Sequence, residues 1–257
     1  MKKKIIIANW KMSLSQAQAL ALTQALLEGI KDQPLENLEL VLCPSFNALG
    51  EAGRLVAKTN ISLGAQDCCW EEAGAYTGEV SPQVLKEIGC QFVILGHSER
   101  RKYLKESDQL INAKVKSALK NGLAPILCVG ETFEERQAGN KDFVVMQQLE
   151  KGLSGVNLNN SDRLVIAYEP VWVIGSGQAV EPVEAEHTNQ VIRQVLLDHF
   201  SPKAIEEQIY LIYGGSVNPE NIKEFILQPT IAGALVGGAS LEAKIFCSLI
   251  SAAQGAL

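Results

Sequence analysis

The sequence predicts an α/β fold, a (β/α)8 barrel formed by a single domain over residues 1–257, and three observations support it. Eight short apolar runs recur along the chain, with helix-like segments between them. Most of these runs are continuously apolar rather than alternating, which is typical of parallel strands buried on both faces. The 257 residues match the usual size of such a barrel, and no linker or change of composition divides the chain.

The eight apolar runs are the predicted strands. They cover residues 3–10, 38–44, 61–66, 90–97, 124–130, 163–169, 209–215 and 232–238. A doubly wound open sheet is the alternative arrangement, and it more often carries a nucleotide-binding fingerprint. The stretch VIGSGQ follows a strand but lacks both the G-x-G-x-x-G register and an acidic residue about 20 positions later. The barrel is therefore favoured, and no nucleotide cofactor is expected.

Three segments between the strands have helical patterns. Residues 15–30 start at a serine and are rich in Ala, Leu and Gln. Residues 106–122 contain Ser107 as a plausible N-cap and have Gly122 just past the predicted helix end. Residues 181–200 place several valines and leucines at near-helical spacing: Val183, Val191, Val195 and Leu196.

Charge and composition exclude several classes of protein. The net charge of −6 and the 20% of charged residues are ordinary for a soluble globular protein, and they favour neither nucleic acid nor an anionic membrane as a partner. The N-terminal apolar run, residues 5–8, is too short for a signal peptide. The six cysteines form no C-x-x-C pair, so buried reduced thiols and a cytoplasmic location are expected.

Polar residues follow several of the predicted strands at their carboxyl ends. Asn9 and Lys11 follow the first strand, His97 the fourth and Glu169 the sixth. Glycine pairs follow the last two strands: Gly214-Gly215, then Ser216, and Gly237-Gly238. In a barrel these ends converge on one rim, where active sites are built. Taken singly, the lysine could be a solvated surface residue, the histidine a helix cap and the glycines turn residues.

The combination of these groups points to proton transfer rather than metal chemistry. Glu169 lies between an apolar strand and Pro170, where a carboxylate is costly unless it is paired or useful. The three histidines are scattered, with His187 and His199 on a predicted surface helix, so no metal site is expected. Glycines and a serine at strand-to-helix turns can present backbone N–H groups to a phosphate. A base, an imidazole and a lysine suit proton transfer beside a carbonyl.

Seven motifs, in order and spacing, closely resemble the triosephosphate isomerase family along essentially the whole chain. They are NWKM at 9–12, GAQ with GAYTGEVS at 64–81, GHSERR at 96–101, CVGE at 128–131, AYEPVW with IGSG at 167–177, YGGSV at 213–217 and LVGGAS at 235–240. The resemblance implies a TIM barrel that interconverts dihydroxyacetone phosphate and D-glyceraldehyde 3-phosphate through an enediolate, in glycolysis and gluconeogenesis. It implies no cofactor and no metal.

The resemblance also implies residue roles. Glu169 would be the base that moves the proton between C1 and C2, and His97 a neutral imidazole that polarises the carbonyl. Lys11 would supply positive charge and Asn9 a hydrogen bond. Ser98 and Glu99 would be supporting residues, with Glu99 close to the lysine.

For the phosphate, the resemblance implies backbone N–H groups at Gly175, Ser216, Gly237 and Gly238. Residues 170–180 would form a mobile lid over the enediolate. A homodimer is implied, in which a loop carrying Thr77 reaches the partner's active site.

The chain departs from the family pattern at a few positions. The far hinge of the lid is Gln178-Ala179-Val180 rather than Lys-Ser/Thr-Ala, and Asp67 and Ser13 stand where asparagine is common. Another phosphate-binding barrel, such as an amino-sugar isomerase or an indole-forming synthase, would explain the glycines but not NWK, GHSE and YEPVW together. An inactive relative kept for binding would be favoured by loss of Lys11, His97 or Glu169, and all three are present.

Overall fold

A computed structural model of the chain describes residues 2–33 and 35–257, and it confirms the predicted fold class. Eight parallel strands, each hydrogen-bonded to its neighbours in chain order, close into a barrel. The strands are β1 Lys4–Asn9, β2 Leu38–Cys43, β3 Ile61–Ala65, β4 Cys90–Leu95, β5 Ala124–Val129, β6 Leu164–Tyr168, β7 Ile209–Tyr213 and β8 Gly233–Val236. The predicted strands extended up to two residues further, because they included glycines and polar residues of the turns that follow the strands, such as Gly96-His97 and Gly214-Gly215.

Helices surround the barrel. They are α1 Gln16–Ile30, α2 Phe46–Val56, α3 Pro82–Ile88, α4 Ser98–Tyr103, α5 Asp108–Lys120, α6 Phe133–Gln137, α7 Lys141–Gly152, α8 Pro182–His199, α9 Pro202–Gln208, α10 Ile222–Ile226 and α11 Ala243–Gln254. Single 3-10 turns lie at Val171–Val173 and Gly238–Ser240. Helices α1, α5 and α8 confirm the three segments predicted as helical, with ends that differ by up to two residues.

The barrel closes where β8 returns to β1. Ile5 pairs with Gly233, and the two strands then run in register to Ala8 and Val236. The backbone at this closure is tight, because a Cβ atom on Gly233 would lie 1.8 Å from the carbonyl oxygen of Ile5. A side chain at position 233 would therefore force the first and last strands apart.

Alternate residues of each strand face different apolar layers, since side chains alternate across a strand. One layer packs between the barrel and its helices and includes Trp10, Leu40 and Phe246. The other fills the barrel interior: Ile5, Ile7, Val41, Cys43, Phe92, Ile94, Ala124, Ile126, Cys128, Val165, Ala167, Tyr210, Ile212 and Leu235. Burying one such Ile or Leu side chain stabilises the fold by about 1.5–3 kcal/mol. The interior is thus a packed core that supports the rim above it.

Local capping determines where the predicted helices begin. The hydroxyl of Ser15 accepts a hydrogen bond from the backbone of Gln18, whose side chain in turn accepts from Ser15 N–H. Ser107 caps α5 as predicted, by accepting from Leu110 N–H. In α8 the buried face includes Val195 and Leu196, whereas Val183 is 72% exposed. Val183 lies on the face of the first turn opposite to the buried Ala185, so it points away from the core.

The cysteines are free thiols: Cys43, Cys68, Cys69, Cys90 and Cys128 are buried, and Cys247 is half-buried. Burial raises the pKa of Cys90 to about 12, so this thiol stays protonated at neutral pH. Within residues 2–33 and 35–257, none of the helices combines the length and the apolar character needed to cross a membrane.

Candidate active site

The carboxyl ends of the strands surround a cavity of about 490 Å³, and the catalytic and phosphate-binding candidates line it together. Four come from the ends of β1, β4 and β6: Asn9, Lys11, His97 and Glu169. Four more come from the lid segment and from the ends of β7 and β8: Gly175, Ser216, Gly237 and Gly238. Residues as far apart in sequence as 9 and 238 are therefore brought to one site by the closed barrel.

His97 is buried and lies at the N-cap of α4, directly after β4. Its Nδ1 accepts a hydrogen bond of 3.2 Å from the backbone N–H of Glu99. An imidazole nitrogen that accepts carries no hydrogen, so the proton resides on Nε2 and the ring is neutral. The Nε2–H group lies at the cavity wall, 3.2 Å from Glu169 Oε1. The ring can therefore donate one hydrogen bond to a ligand oxygen.

Glu169 lies one residue past β6 and its side chain is 2% exposed. Ser98 N–H donates a hydrogen bond of 3.0 Å to Oε2. The other oxygen, Oε1, is buried and lies near His97 Nε2 without an aligned hydrogen bond. A buried carboxylate oxygen without a hydrogen bond costs folding free energy, which indicates a group kept available for a ligand. Ser98 thus acts on Glu169 through its backbone.

Lys11 has an unusual backbone conformation, with φ of +51°. This left-handed geometry costs about 1–2 kcal/mol for a residue with a Cβ atom. Two side chains hold it: Asn9 Oδ1 accepts from Lys11 N–H at 3.0 Å, and Gln66 Nε2 donates to its carbonyl at 2.8 Å. The Nζ atom lies 2.6 Å from Glu99 Oε1, as the resemblance to the family implies for that pair. The cation is thereby fixed at the cavity, where it faces Gly237.

Backbone donors also line the cavity. Within the described chain, the N–H groups of Gly175, Ser216 and Gly237 donate to no protein acceptor. Gly238 opens the 3-10 turn Gly238–Ser240, whose N-terminal N–H groups likewise face outward from the turn. Free N–H donors beside a lysine make a site suited to a phosphate.

The segment from 170 to 180 lies over this cavity. Its first half is the 3-10 turn Val171–Val173, and residues 175–179 are exposed. Trp172 Nε1 donates to Glu131 Oε1 at 3.0 Å, and the Arg136 guanidinium stacks on the same indole at 4.6 Å. At the far end Val180 is buried, and its N–H donates to the hydroxyl of Tyr213 at 3.3 Å. This segment is thus held at both ends by hydrogen bonds, with an exposed tip between them.

Sequence reasoning assigned no role to Glu131 or Gln66, although both lie in quoted motifs. Glu131 is fully buried and also accepts a hydrogen bond of 3.1 Å from Tyr168 OH. Burial raises the pKa of the Glu131 carboxyl, while hydrogen bonds from the protein oppose that shift. The signal that could have found it is the one used for Glu169, a carboxylate directly after a buried strand.

Comparison with known proteins agrees with this arrangement. A model of the family described as triosephosphate isomerase matches residues 4–253. The chain belongs to the triosephosphate isomerase family. It is 45% identical over 250 residues to the triosephosphate isomerase of Dictyoglomus thermophilum, covering 97% of this chain and 99% of that relative. The corresponding protein of Carboxydothermus hydrogenoformans is 46% identical over 250 residues, covering 97% and 98%.

A third triosephosphate isomerase, from Symbiobacterium thermophilum, is 44% identical over 256 residues and covers 100% of this chain and 99% of its own. The similarity to the family therefore extends over the whole barrel and includes every strand end that lines the cavity. The residues that depart from the family pattern therefore lie within a barrel that otherwise matches the family.

One departure, Asp67, lies in a buried ionic cluster below the cavity rim. Its carboxylate contacts Lys114 Nζ at 2.7 Å and Arg100 Nη2 at 2.7 Å. Glu106 contacts the same two cations, so two carboxylates and two cations balance. Burial raises the pKa of Asp67 to about 6, against the opposing effect of Lys114. Burial also acts on Glu106, but hydrogen bonds from Arg100 and Lys114 hold the pKa of that carboxyl below its ordinary value.

Asp67→Asn is expected to flatten the pH dependence of stability between about pH 4 and 7. Because the folded-state pKa of Asp67 is raised, the folded protein binds a proton in this window that the unfolded chain releases. The stability this group contributes is present below the unfolded pKa and is lost as pH rises through about 6. The free energy of unfolding that is lost over this pH range is about 3 kcal/mol, which follows from the size of the pKa shift of Asp67.

The measurement is urea unfolding of both proteins at a series of pH values. The wild-type free energy of unfolding should fall relative to that of Asp67→Asn as pH rises. Parallel curves for the two proteins would contradict the titration assigned to Asp67. Glu87→Gln is a suitable control, because Glu87 is an exposed carboxylate outside the cluster.

Proposed function

We propose that Glu169, His97, Lys11 and Asn9 are the catalytic residues by which this chain interconverts dihydroxyacetone phosphate and D-glyceraldehyde 3-phosphate. The activity itself is that of the family to which the chain belongs. The observation that supports the residue roles best is the pairing of an available carboxylate oxygen on Glu169 with a neutral Nε2–H donor on His97, 3.2 Å apart at the wall of one cavity.

The chemistry follows from these groups. Glu169 takes a proton from C1 of dihydroxyacetone phosphate, the C–H electrons form the C1–C2 double bond, and the carbonyl oxygen becomes negative. His97 Nε2–H, the Lys11 ammonium and the Asn9 amide stabilise that oxygen. After a proton moves from the C1 hydroxyl to the C2 oxygen, Glu169 returns its proton to C2. The products are balanced without an external oxidant or acceptor, so the proposal requires no cofactor.

The phosphate would be held by the N–H groups of Gly175, Ser216, Gly237 and Gly238. Three of these line the cavity without a protein acceptor, and Lys11 lies beside Gly237. A dianion is then held by dipoles and one cation, which suits an enzyme with a net charge of −6. Glu99 supports Lys11 through their ion pair, and Ser98 supports Glu169 through its N–H group.

The test is an assay of glyceraldehyde 3-phosphate isomerisation in the presence of EDTA, coupled to reduction of the dihydroxyacetone phosphate formed. Turnover far above the buffer reaction is expected. A rate equal to that of buffer alone would favour the inactive relative, and turnover that depends on added metal would contradict the cofactor-free mechanism.

We propose that residues 170–180 open and close over the bound substrate. The support is the contrast between the anchored ends, Trp172 on Glu131 and Val180 on Tyr213, and the exposed tip at 175–179. The far hinge, which departs from the family pattern, is exposed at Gln178 and Ala179 and buried at Val180. The hydrogen bond from Val180 to Tyr213 therefore holds the end of this hinge.

Tyr213→Phe is expected to weaken closure and to lower kcat/KM by about fivefold. The change removes one hydrogen bond, worth about 1 kcal/mol, from the state in which Val180 N–H is bonded. Steady-state kinetics with varied viscosity measure the effect, and Tyr210→Phe, which alters a tyrosine near the other end of β7, is the matched control. Unchanged kcat/KM in Tyr213→Phe would show that this bond does not hold the lid.

We also propose a homodimer in which the loop around Thr77 enters a second copy. A second cavity of about 370 Å³ shares Asn9, Lys11 and His97 with the active site. Large exposed apolar side chains surround it: Met12, Phe46, Tyr103 and Leu104. Thr77 itself is exposed on a loop that follows β3. An apolar rim next to a catalytic lysine suits a protein loop better than open solvent.

Sedimentation equilibrium tests the dimer. The wild-type chain should sediment as a dimer and Thr77→Arg as a monomer with reduced turnover, while Ser161→Arg, at an exposed position before β6, stays dimeric. A wild-type monomer at all concentrations would contradict the proposal.

We further propose that residues 1–257 fold as one domain in the cytoplasm. The pairing of β1 with β8 supports a single unit, because neither half of the chain can close the barrel alone. A single calorimetric transition, and recovery of the activity in the cytosolic fraction, are the observations to seek. Two separate transitions would contradict the first statement.

A further inference from the structure

The end of β5 lacks a strand partner on one side. Strands β4 and β5 pair from Phe92 and Ala124 up to Leu95 and Leu127. At Gly96 the chain then leaves the sheet, and His97 is the N-cap of α4. On its other side, β5 stays paired with β6 up to Val129. The N–H and C=O groups of β5 that faced β4 therefore need other partners from residue 128 onward.

Two side chains take the place of the missing strand. Arg101 Nη2 donates to the carbonyl of Cys128 at 3.1 Å, and its Nε donates to the carbonyl of Gly96 at 2.7 Å. Gln148, on α7, uses both ends of its amide on one residue: Oε1 accepts from Gly130 N–H at 2.8 Å, and Nε2 donates to the Gly130 carbonyl at 3.1 Å. The Gln148 amide thus reproduces the hydrogen bonds of a neighbouring strand.

The residue clamped in this way touches the backbone of Glu169. A Cβ atom on Gly130 would lie 1.7 Å from the Glu169 carbonyl oxygen, so the two backbones are in direct contact. Glu169 N–H donates to the Val129 carbonyl at 2.7 Å, and Val171 N–H donates to the Glu131 carbonyl at 3.0 Å. The main chain on either side of the Glu169 side chain is therefore hydrogen-bonded to the two residues that flank Gly130.

We propose that Gln148 is a positioning residue for the reaction: by holding Gly130 it fixes the main chain of Glu169 relative to His97. His97 follows β4 and Glu169 follows β6, on the two sides of the gap. Arg101 spans the gap by bonding the carbonyls of Gly96 and Cys128, and Gln148 holds Gly130 on the β5 side. The separation of the two groups across that gap therefore depends on these side chains. This inference rests on the proposed role of Glu169 as the base.

The variant that tests it is Gln148→Met, which keeps most of the side-chain volume and removes both hydrogen bonds. We expect kcat to fall on the order of 10- to 100-fold, since a displacement of about 1 Å at the reacting groups has an effect of that size. KM and the inhibition constant of inorganic phosphate should change little, because Ser216, Gly237 and Gly238 follow β7 and β8. Gly175 lies in the exposed tip of the 170–180 segment, beyond the hydrogen bond of Val171 to Glu131. Hydrogen exchange at Gly130, Glu169 and Val171 should become faster.

Gln147→Met is the matched control, because Gln147 is the exposed neighbour on the same helix. It should retain the wild-type kcat and exchange rates. Gln148→Ala separates the two causes: if it is impaired while Gln148→Met is not, the side chain acts by packing and the proposal is overturned. A wild-type kcat in Gln148→Met, or equal losses in kcat and phosphate inhibition, would overturn it as well.

If Gln148→Met does not fold, Gln148→Glu decides the question by the same comparison of kcat with phosphate inhibition. It retains an acceptor for Gly130 N–H and loses the donor to the carbonyl, so a selective loss of kcat is again expected, and an unchanged kcat overturns the proposal. Failure of the proposed function can be distinguished from failure of the role proposed for Gln148. An inactive wild-type protein would remove the role of Glu169, whereas faster exchange at Gly130 in Gln148→Met would still show the clamp.

Discussion

Glu169→Gln is expected to lower kcat by about 10³-fold or more. Loss of a general base typically lowers the rate by about 10²–10⁴-fold, and the loss is larger where no other group can accept the proton. The amide has the size and shape of the carboxylate, and its oxygen can still accept from Ser98 N–H, as Glu169 Oε2 does at 3.0 Å. It cannot accept a proton from carbon. The fold and the cavity should therefore persist while the proton transfer is lost.

The measurements are kcat in the coupled assay and the inhibition constant of inorganic phosphate. That constant should stay near the wild-type value, because the carboxylate lies apart from the phosphate-binding N–H groups in the proposed site. Glu150→Gln, which alters a surface carboxylate paired with His199, should be fully active. A kcat for Glu169→Gln within tenfold of wild type would require another base, since removing a general base costs about 10²-fold at least.

Lys11→Met is expected to lower kcat/KM by about 10³-fold or more, because it removes a fixed positive charge from a site where an enediolate and a phosphate are both negative. The methionine stem occupies nearly the same space, and the backbone strain at φ of +51° is the same for both residues. The loss therefore reports charge rather than packing. Glu99, 43% exposed, loses its partner but keeps access to water.

This variant differs from Glu169→Gln in one observable. Phosphate inhibition should weaken in Lys11→Met, because the ammonium lies at the wall formed by Gly237, whereas it should persist in Glu169→Gln. Lys58→Met, at an exposed position away from the cavity, is the control for loss of a single positive charge. Lys11→Met with wild-type affinity for phosphate and wild-type kcat would remove Lys11 from the site.

Much of the fold was predictable from short-range patterns. The strands are continuous apolar runs because both of their faces are covered, and all eight lie within two residues of the predicted bounds. The residues that line the cavity were predictable because a barrel gathers the carboxyl ends of its strands. Roles for Lys11, His97 and Glu169, by contrast, came from the resemblance to the family and remain proposals until the variants are measured.

The sequence by itself determined which residues form strands, where polar groups interrupt them and to which family the motifs are similar, since each of these depends on residue type and spacing along the chain. Only the tertiary structure decided which side chains contact one another. It placed Asp67 among Lys114, Arg100 and Glu106, Glu131 beneath Trp172, and Gln148 on Gly130. These contacts join residues 18 to 47 positions apart through helix packing and strand endings. No local sequence pattern predicts these contacts, because each one satisfies a group that lacks a partner only in the folded chain, where a strand loses its neighbour or a charge becomes buried.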